Sequence, residues 1–509
     1  MIIRRKTYRP WDAQETTHQA VSPHQALPED DLVFFLLDTV PGLDLSAFHQ
    51  HYAGELRGQP PFDVTMMVTL LMYAYCVGVC SSRKIAAACE RNLAFRAIVG
   101  DTPPDFRTIS DFRKIHHAAF RTLFLDVLRL AGEMGMVKLG NLSTDGTKID
   151  ANASRHKAMS FGYMNKEIAR IQAEIDQLLK QAEQTDAEQD AALGSRRGDE
   201  LPEELKRRED RLEKIKEAKA RLEAEAKVIA DAEQSRRDEE QAQREAEGRT
   251  RRGKEPAPID PTPEDKAQTN FTDPEAKIMK QPNKGFDYSY NAQAVVDSEN
   301  QIIVAAEVAN QANDKKQAVP MASAALDNLK AAEIERPKRA DGTLVAIPNT
   351  ADSGYFSEKA IEELEKLGMD PHVATGRQKH HEDPVSVPAA IPVPVLKSVG
   401  VGEATESSQP KDDKGSNAEA AVPTGAGKPA PAASAKEKMQ AKLRTATGKV
   451  LYAARKHIVE PVFGQIKSAR GIRTFLMRGL EKVSAEWQLI CLTHNILKIW
   501  RRVNLDATS

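Results

Sequence analysis

The sequence is poor in cysteine, and this limits the kinds of metal and redox site that it can build. Only four cysteines occur in 509 residues, at positions 76, 80, 89 and 491. Cys76 and Cys80 lie four residues apart in an apolar stretch, with no further metal-binding residues close by. We therefore expect buried, reduced thiols and no metal–thiolate centre. Such sparse cysteine usage is typical of a cytosolic protein.

Long apolar runs are also scarce. The most apolar one, residues 64–80, is a little short for a membrane span and contains threonines, so it predicts a buried helix. The N-terminal stretch MIIRRKTYRPWD lacks the apolar core of a signal peptide. These features predict a cytoplasmic protein with no membrane partner.

The chain has no overall excess of one charge, but its charges are unevenly distributed. The formal net charge is −2 over 509 residues. Residues 436–503, however, contain fifteen lysines and arginines against four glutamates. A basic segment of this kind favours binding to a phosphate polymer, because each cation can neutralise one phosphate.

The composition and the hydrophobic pattern of the sequence change several times along the chain, which predicts a series of structural segments. Residues 1–135 read as a helical domain, and the basic short helices expected at 83–99 and from residue 110 fit a helix-turn-helix DNA reader and a plain helical bundle equally well. The remaining segments are an α/β domain that begins at 138–160, a coiled-coil or helical-hairpin insertion at 164–250, a Pro-rich linker at 251–268, the α/β domain continued at 269–378, a disordered Pro/Ala-rich segment at 379–435 and C-terminal helices at 436–503.

With the two insertions removed, an ordered series of elements remains. It comprises a strand near 140–149, a hairpin at 286–310, a helix at 314–332, a strand at 344–354, a helix at 357–368 and a strand at 370–375. A hairpin followed by α/β crossovers predicts a mixed sheet of the α/β class. We expect Ser357 to cap the helix at 357–368 and Gly368 to end it.

Three acidic residues are distinguished by their position in this series. Asp145 lies in the first predicted strand, Asp352 ends a later strand, and Glu460 lies in the basic C-terminal segment. Each also has an ordinary interpretation: Asp145-Gly146 is a turn signal, Asp352 could serve a turn, and Glu460 could be solvated. Sites in open α/β sheets form at strand ends, so the three carboxylates could converge there. Carboxylates can hold two divalent cations for phosphoryl transfer.

The stretch around Glu460 predicts a two-sided helix. Because Pro461 is best tolerated in a first turn, we expect the helix to begin near Glu460. Two faces follow from the spacing, an apolar face of Val459, Val462, Phe463 and Ile466 and a polar face of Lys456, Glu460, Gly464 and Lys467. The missing side chain at Gly464 suggests a close approach by another group.

With these residues in place, the chain resembles bacterial insertion-sequence transposases of the DDE class, whose catalytic domain has a ribonuclease H-like fold. The stretches that carry the resemblance are LSTDGTKIDANAS (142–154), DYSYNAQAVVD (287–297), TADSGYFS (350–357) and the segment 451–500. The resemblance implies a ribonuclease H-like mixed sheet, preceded by an all-α N-terminal DNA-binding domain and interrupted by the coiled-coil insertion.

The resemblance also assigns roles to individual residues. Asp145, Asp352 and Glu460 would be the catalytic acids and would bind Mg²⁺, with Mn²⁺ as a substitute; Asp150 is the fallback for the first acid. The family signature Tyr-x2-Arg-x3-Glu-x6-Lys is nearly present, but four residues separate Arg455 from Glu460, and Lys456 has the family spacing instead. The DNA-binding residues implied are Tyr452, Arg455, Lys456, Lys467, Arg470 and Arg473.

The function implied is DNA transposition. The protein would bind the terminal inverted repeats of its element, cleave the DNA ends and join the 3′-hydroxyl to target DNA, acting as a homodimer in the bacterial cytoplasm in association with the nucleoid. Three alternatives remain at this point: a nuclease on the same scaffold without strand joining, a non-catalytic DNA-binding coiled-coil protein, and an inactive copy of an element.

Overall fold

The structure, a computed structural model, describes residues 23–52, 60–193, 203–249, 257–281, 285–376 and 434–508. The Pro/Ala-rich segment predicted at 379–435 therefore lies almost entirely outside the described residues, as does the predicted break between the two insertion helices.

The described residues form a mixed α/β structure with fifteen α-helices and eight strands. The helices are α1 Pro23–Ala26, α2 Leu32–Thr39, α3 Ser46–Gln50, α4 Val64–Cys76, α5 Ser82–Arg91, α6 Leu93–Val99, α7 Phe106–Ile115, α8 Ala119–Glu133, α9 Phe161–Leu193, α10 Glu203–Ala246, α11 Ala318–Ala331, α12 Glu358–Lys366, α13 Ala435–Arg444, α14 Ala446–Gly464 and α15 Leu480–Thr508. The strands are β1 Leu142–Asp150, β2 Ala158–Ser160, β3 Gln268–Asn270, β4 Lys277–Lys280, β5 Phe286–Asp297, β6 Ile303–Ala309, β7 Ile347–Ala351 and β8 Met369–Val373.

The main sheet is mixed, as the series of elements predicted. Strand β5 pairs antiparallel with β1 on one side, and with β4 and β6 on the other. Strand β1 then pairs parallel with β7, and β7 pairs parallel with β8. The order β6-β5-β1-β7-β8 places β1 at the centre of the sheet. Strands β2 and β3 form a separate two-stranded sheet.

One apolar core connects the sheet with the N-terminal helices. The main cluster of buried residues runs from Leu32 in α2 to Ile499 in α15 and includes strand residues such as Tyr290. Helix α15 contacts α4 and α8 as well as β6. The side chain of Trp487 in α15 donates a hydrogen bond to the Gln293 carbonyl over 2.8 Å. The N-terminal helices thus pack against the same C-terminal helix that covers the sheet.

The insertion forms two long helices that pack together through a small core of their own. The buried residues of this core repeat at helical spacing and are Phe161, Met164, Ile171, Ile175, Leu212, Ile215, Ala218 and Leu222. The base of the pair is joined to the main sheet by an ion pair between Lys277 in β4 and Glu225 in α10. Helix α9 begins at Phe161, three residues before the predicted boundary.

The helix that carries Glu460 differs from the prediction. Helix α14 begins at Ala446, so Pro461 lies in its last turn and not in its first. A proline in that place removes one backbone hydrogen bond, and the chain continues as a π-helical turn at Gln465–Ala469. The predicted apolar face is confirmed, since its four residues are all buried. A Cβ at Gly464 would meet no described atom within 4 Å, so the expected close approach is not observed.

Candidate active site at the end of two parallel strands

Asp145 and Asp352 occupy matching positions on neighbouring strands. The last paired residues of β1 and β7 are Thr144 and Ala351, and each aspartate is the next residue along its strand. In a parallel pair the strand ends lie at the same edge, which is where α/β sheets commonly carry their sites. The predicted convergence of these two residues thus follows from the register of the sheet.

The ordinary interpretations of the two aspartates have different outcomes. Asp145-Gly146 is not a turn, because β1 pairs continuously with β5 from Leu142 to Asp150. Asp352 does serve a turn, because it caps a short 3₁₀ turn at Ser353–Tyr355. Its Oδ1 accepts a hydrogen bond from the Gly354 N–H over 2.8 Å. This bond fixes the direction of the Asp352 carboxylate.

Arg455 connects the first acid to the third. Its guanidinium donates a hydrogen bond to Asp145 Oδ2 over 3.2 Å and lies 4.0 Å from Glu460 Oε1. The Arg455 side chain is 12% exposed and stacks over the Tyr452 ring at 5.9 Å, whereas the Glu460 side chain is 54% exposed. Arg455 is therefore directed into the site, and Glu460 lies at its rim.

Burial makes Asp145 an unusually weak acid. Its pKa is raised to about 6, primarily because burial disfavours the charged form, with smaller contributions from the charges of Asp352 and Asp314. The Arg455 guanidinium and the Gly146 N–H act in the opposite direction and lower the pKa. A carboxyl that titrates near neutral pH responds strongly to any added cation.

A fourth acid, Asp314, was missed by the sequence reasoning. Its Oδ1 accepts hydrogen bonds from Asn291 Nδ2 over 2.6 Å and from Gln293 Nε2 over 2.7 Å, and lies 3.9 Å from Lys148 Nζ. The signal was present in β5, where the polar residues Ser289, Asn291 and Gln293 recur at a spacing of two in a buried strand. Polar residues on one face of a buried strand require partners, and Asp314 supplies one.

The donor set of this region suits a hard divalent cation. Carboxylate and amide oxygens are the ligands that Mg²⁺ and Mn²⁺ accept. Asn291 Oδ1 is buried and lacks a hydrogen-bond partner, so one further oxygen donor is present. In the part of the chain that the structure describes, no three acidic, histidine or cysteine side chains lie close enough to enclose an ion. Arg455 stands between Asp145 and Glu460 in this arrangement.

Other residues singled out from the sequence lie around this site in different ways. Lys456 is exposed on α14, and Lys467 Nζ donates a hydrogen bond to the Lys148 carbonyl over 2.6 Å. Asp150, the fallback for the first acid, lies five residues along β1 from Asp145, roughly 17 Å away. It accepts a hydrogen bond from Gln281 Nε2 over 3.0 Å.

Arg470 and Arg473 differ in their access to DNA. Arg470 is 8% exposed, and its guanidinium donates hydrogen bonds to Thr493 Oγ1 and to the Ile490 carbonyl. The expectation that Arg470 contacts DNA is therefore corrected: its guanidinium is turned into the core. Arg473 is exposed, and its Nε donates to the Lys467 carbonyl over 3.1 Å.

The N-terminal helices carry a separate basic surface. The guanidinium groups of Arg83 in α5 and Arg107 in α7 lie 5.1 and 5.7 Å from the centre of the Phe106 ring. Phe106 is 37% exposed, and both arginines are exposed. Cations around an exposed aromatic ring form a surface that nucleic acids can contact through phosphates and bases.

Three predictions from the sequence analysis concern residues away from this site: the cysteines, the caps of α12 and the apolar stretch at 64–80. Cys76, Cys89 and Cys491 are buried free thiols, as expected, while Cys80 is partly exposed. Ser357 caps α12 through its side chain, and Gly368 follows α12 with a φ of 75°. The buried helix predicted at 64–80 is confirmed but ends at Cys76. No helix among the described residues has the length and apolar character needed to cross a membrane.

Comparison with known families gives two matches. Residues 21–115 match the family described as Transposase domain (DUF772), and residues 427–500 match the family described as Transposase DDE domain. The second match contains Glu460 and Arg455, while Asp145 and Asp352 lie outside both matched ranges. No curated protein and no solved structure matches the chain.

Proposed function

We propose, from two family matches that support an insertion-sequence transposase of the DDE class, that this chain binds the terminal inverted repeats of its element, cleaves DNA at the ends and joins the 3′-hydroxyl to target DNA. The observation that carries this proposal is the register of β1 and β7, which sets Asp145 beside Asp352 at one edge of the sheet. Glu460 would complete the triad; Arg455 supports this assignment because it lies beside both Asp145 and Glu460.

The topology supports a ribonuclease H-like catalytic domain. In that fold three antiparallel strands are followed by two parallel ones, with the first strand at the centre. The order β6-β5-β1-β7-β8 has this arrangement, with α11 connecting β6 to β7 and α12 connecting β7 to β8. The long insertion of α9 and α10 enters between the first and second strands of this series.

The acids Asp145, Asp352 and Glu460 are proposed to hold divalent cations, Mg²⁺ or in its place Mn²⁺. Such ions activate an attacking hydroxyl and stabilise the leaving oxygen in phosphoryl displacement. The chain's own part is to direct the Asp352 carboxylate by its bond to Gly354 and to keep Asp145 buried beside it. Both aspartates extend from sheet strands, which hold a site more rigidly than loops do.

DNA contacts are proposed for Tyr452, Lys456, Lys467 and Arg473, which lie on or just after α14 near Glu460. Arg455, which is bonded to Asp145 in this structure, is proposed to contact DNA as well. The surface around Phe106 is proposed to contribute to recognition of the terminal repeat. Because two ends must be held together for joining, we propose that a homodimer acts on double-stranded DNA.

The decisive experiment combines purified protein with Mg²⁺, DNA that carries the repeats flanking the coding region, and a supercoiled target. We expect cleaved ends and joined products from the native protein, and loss of both from Asp145→Asn, Asp352→Asn and Glu460→Gln. Asp150→Asn on the same strand is the matched control and should retain activity. Cleavage without joined product would instead indicate a nuclease. Full activity of the three variants would rule out the assignment of these acids as the catalytic triad.

A further inference from the structure

We infer that Asp314 is a positioning residue of the proposed divalent-ion site, and that its carboxylate acts on the ion through a coordinated water from the side of the sheet opposite Arg455. This inference rests on the proposed function, because it assigns a further residue to the same site. Asp314 lies in the loop between β6 and α11, far in sequence from the other three acids.

The first argument is the location of the Asp314 carboxylate. A Cβ built on Gly354 would lie 3.0 Å from Asp352 Oδ1 and 3.7 Å from Asp314 Oδ2. The two carboxylates thus border the same glycine, at the edge where Asp352 follows β7. Because residue 354 is glycine, it adds no side chain of its own to the space between them.

The second argument is how firmly this carboxylate is held. Asn291 and Gln293, both fully buried, donate to the same oxygen, Oδ1. The Gln293 side chain is itself fixed, because its Oε1 accepts a hydrogen bond from the fully buried Tyr355 hydroxyl. These bonds engage Oδ1 and leave Oδ2 directed toward Gly354. Residues that orient a ligand in this way are a regular feature of metal sites.

The third argument is the backbone that makes room for these amides. A Cβ on Gly146 would lie 2.2 Å from Gln293 Nε2 and 2.9 Å from Asn291 Oδ1. Residue 146, next to Asp145, must therefore be glycine for the two amides to lie as they do. Since successive strand residues point to opposite faces, Asp145 faces Arg455 while Gly146 faces the amides that hold Asp314.

The fourth argument is that the cluster contains an oxygen without a hydrogen-bond partner and more carboxylates than cations. Asn291 is fully buried, and its Oδ1 has no hydrogen-bond partner, although its amide nitrogen is engaged by Asp314. Lys148 pairs with Asp314 at 3.9 Å and Arg455 pairs with Asp145 at 3.2 Å, so the three carboxylates of Asp314, Asp352 and Asp145 still outnumber the two cations beside them. This excess of negative charge would attract a divalent cation. Mg²⁺ usually keeps several of its waters, so Asp314 can act on the ion through one of them.

The test is Mn²⁺ binding to the full-length protein without DNA, measured by calorimetry for the native chain, Asp314→Asn and Asp327→Asn. Asp327 is exposed on α11 and loses the same charge away from the site, so it is the matched control. We expect Asp314→Asn to weaken Mn²⁺ binding about tenfold, in the range seen for residues that orient metal ligands, and Asp327→Asn to bind as the native chain does. Native Mn²⁺ affinity in Asp314→Asn overturns the inference.

A second variant separates positioning from simple charge pairing. Asp314→Glu retains the charge opposite Lys148 but moves the carboxylate, so we expect weakened Mn²⁺ binding with unchanged thermal unfolding. It also serves if Asp314→Asn folds poorly. Native Mn²⁺ affinity in Asp314→Glu would show that Asp314 only pairs with Lys148 and does not position the ion. Asp145→Asn and Asp352→Asn distinguish failure of this inference from failure of the proposed function. If these two variants also bind Mn²⁺ with native affinity, the whole proposed ion site is wrong. If they bind Mn²⁺ weakly and the Asp314 variants bind it with native affinity, only the role of Asp314 is wrong.

Discussion

Arg455 reaches across 310 positions of sequence to donate a hydrogen bond to Asp145. The same guanidinium lies 4.0 Å from Glu460, so one cation links two of the three proposed catalytic acids. A divalent ion between these carboxylates would compete with the guanidinium for the same oxygens. This relationship separates the role of Arg455 from that of its exposed neighbour Lys456.

The first prediction concerns these two neighbours. Because Arg455 lowers the pKa of Asp145, Arg455→Ala should raise that pKa above about 6 and move the acidic limb of the activity–pH profile to higher pH. Lys456→Ala should leave the profile in place and reduce DNA affinity, with a shallower dependence on salt. Activity–pH profiles and salt titrations of DNA binding measure the two effects. Identical activity–pH profiles for the native protein and Arg455→Ala would contradict the expected effect of Arg455 on the pKa of Asp145.

The second prediction concerns the stability cost of the Asp145 charge. The folded protein binds the Asp145 proton more tightly than the unfolded chain, so raising the pH from about 4 to about 6 lowers the free energy of unfolding. Asp145→Asn removes this term and should be more stable than the native protein at pH 7.5 by about 1–3 kcal/mol. The difference should nearly vanish at pH 4. Urea unfolding at both pH values tests this, with Asp327→Asn as control.

The third prediction compares two glycines. Gly146→Ala forces Gln293 and Asn291 to move, which should lower stability by about 1–3 kcal/mol and disturb the site. Gly464→Ala meets no described atom, so it should leave stability unchanged or raise it by up to about 1 kcal/mol. Thermal unfolding of the two variants gives the comparison. Equal melting temperatures would show that the amides adapt without cost.

The fourth prediction concerns the two arginines that follow the π-helical turn. Arg470→Ala removes buried hydrogen bonds and should destabilise the fold by about 3 kcal/mol. Arg473→Ala should change stability by less than about 1 kcal/mol and weaken DNA binding. Melting temperature and DNA affinity should therefore respond to different residues. A loss of DNA affinity in a fully stable Arg470→Ala would restore its predicted DNA contact.

The fifth prediction concerns the surface around Phe106. Arg83→Ala and Arg107→Ala should each weaken DNA binding and reduce the slope of log affinity against log salt by up to about 1. Phe106→Ala should weaken binding without changing this slope, because an aromatic ring releases no counterion. Fluorescence anisotropy at several salt concentrations separates the two contributions. Unchanged DNA affinity in all three variants would show that this surface does not contact DNA.

The sequence was most informative where a residue's role depends on its place along a strand. Asp352 could be located because a strand was predicted to end there, and Asp145 because it lies in the first predicted strand; sites in open α/β sheets form where such strands end. The helix of Glu460 was predicted to start too late, because Pro461 was taken as a first-turn residue. Its place in the last turn depends on packing of α14 against the sheet, which local sequence does not encode.

Asp314 and Arg470 illustrate what sequence could not supply. Asp314 lies in a loop without regular periodicity, and its importance appears only when Asn291, Gln293 and Gly354 surround it. Arg470 belongs to a basic segment, and nothing local distinguishes an arginine on the surface from one bonded to carbonyls in the core. Both depend on contacts between distant parts of the chain, which composition and spacing do not reveal.

The packing of α15 between the N-terminal helices and β6 bears on how the protein matures during synthesis. Until residues 480–499 have emerged from the ribosome, α4 and α8 lack their main partner and β6 lacks the helix that packs against it. The sheet that carries Asp145 is therefore completed late, although Asp145 and Asp352 are made much earlier. We expect nascent chains that end before α15 to expose apolar surface and to depend on chaperones.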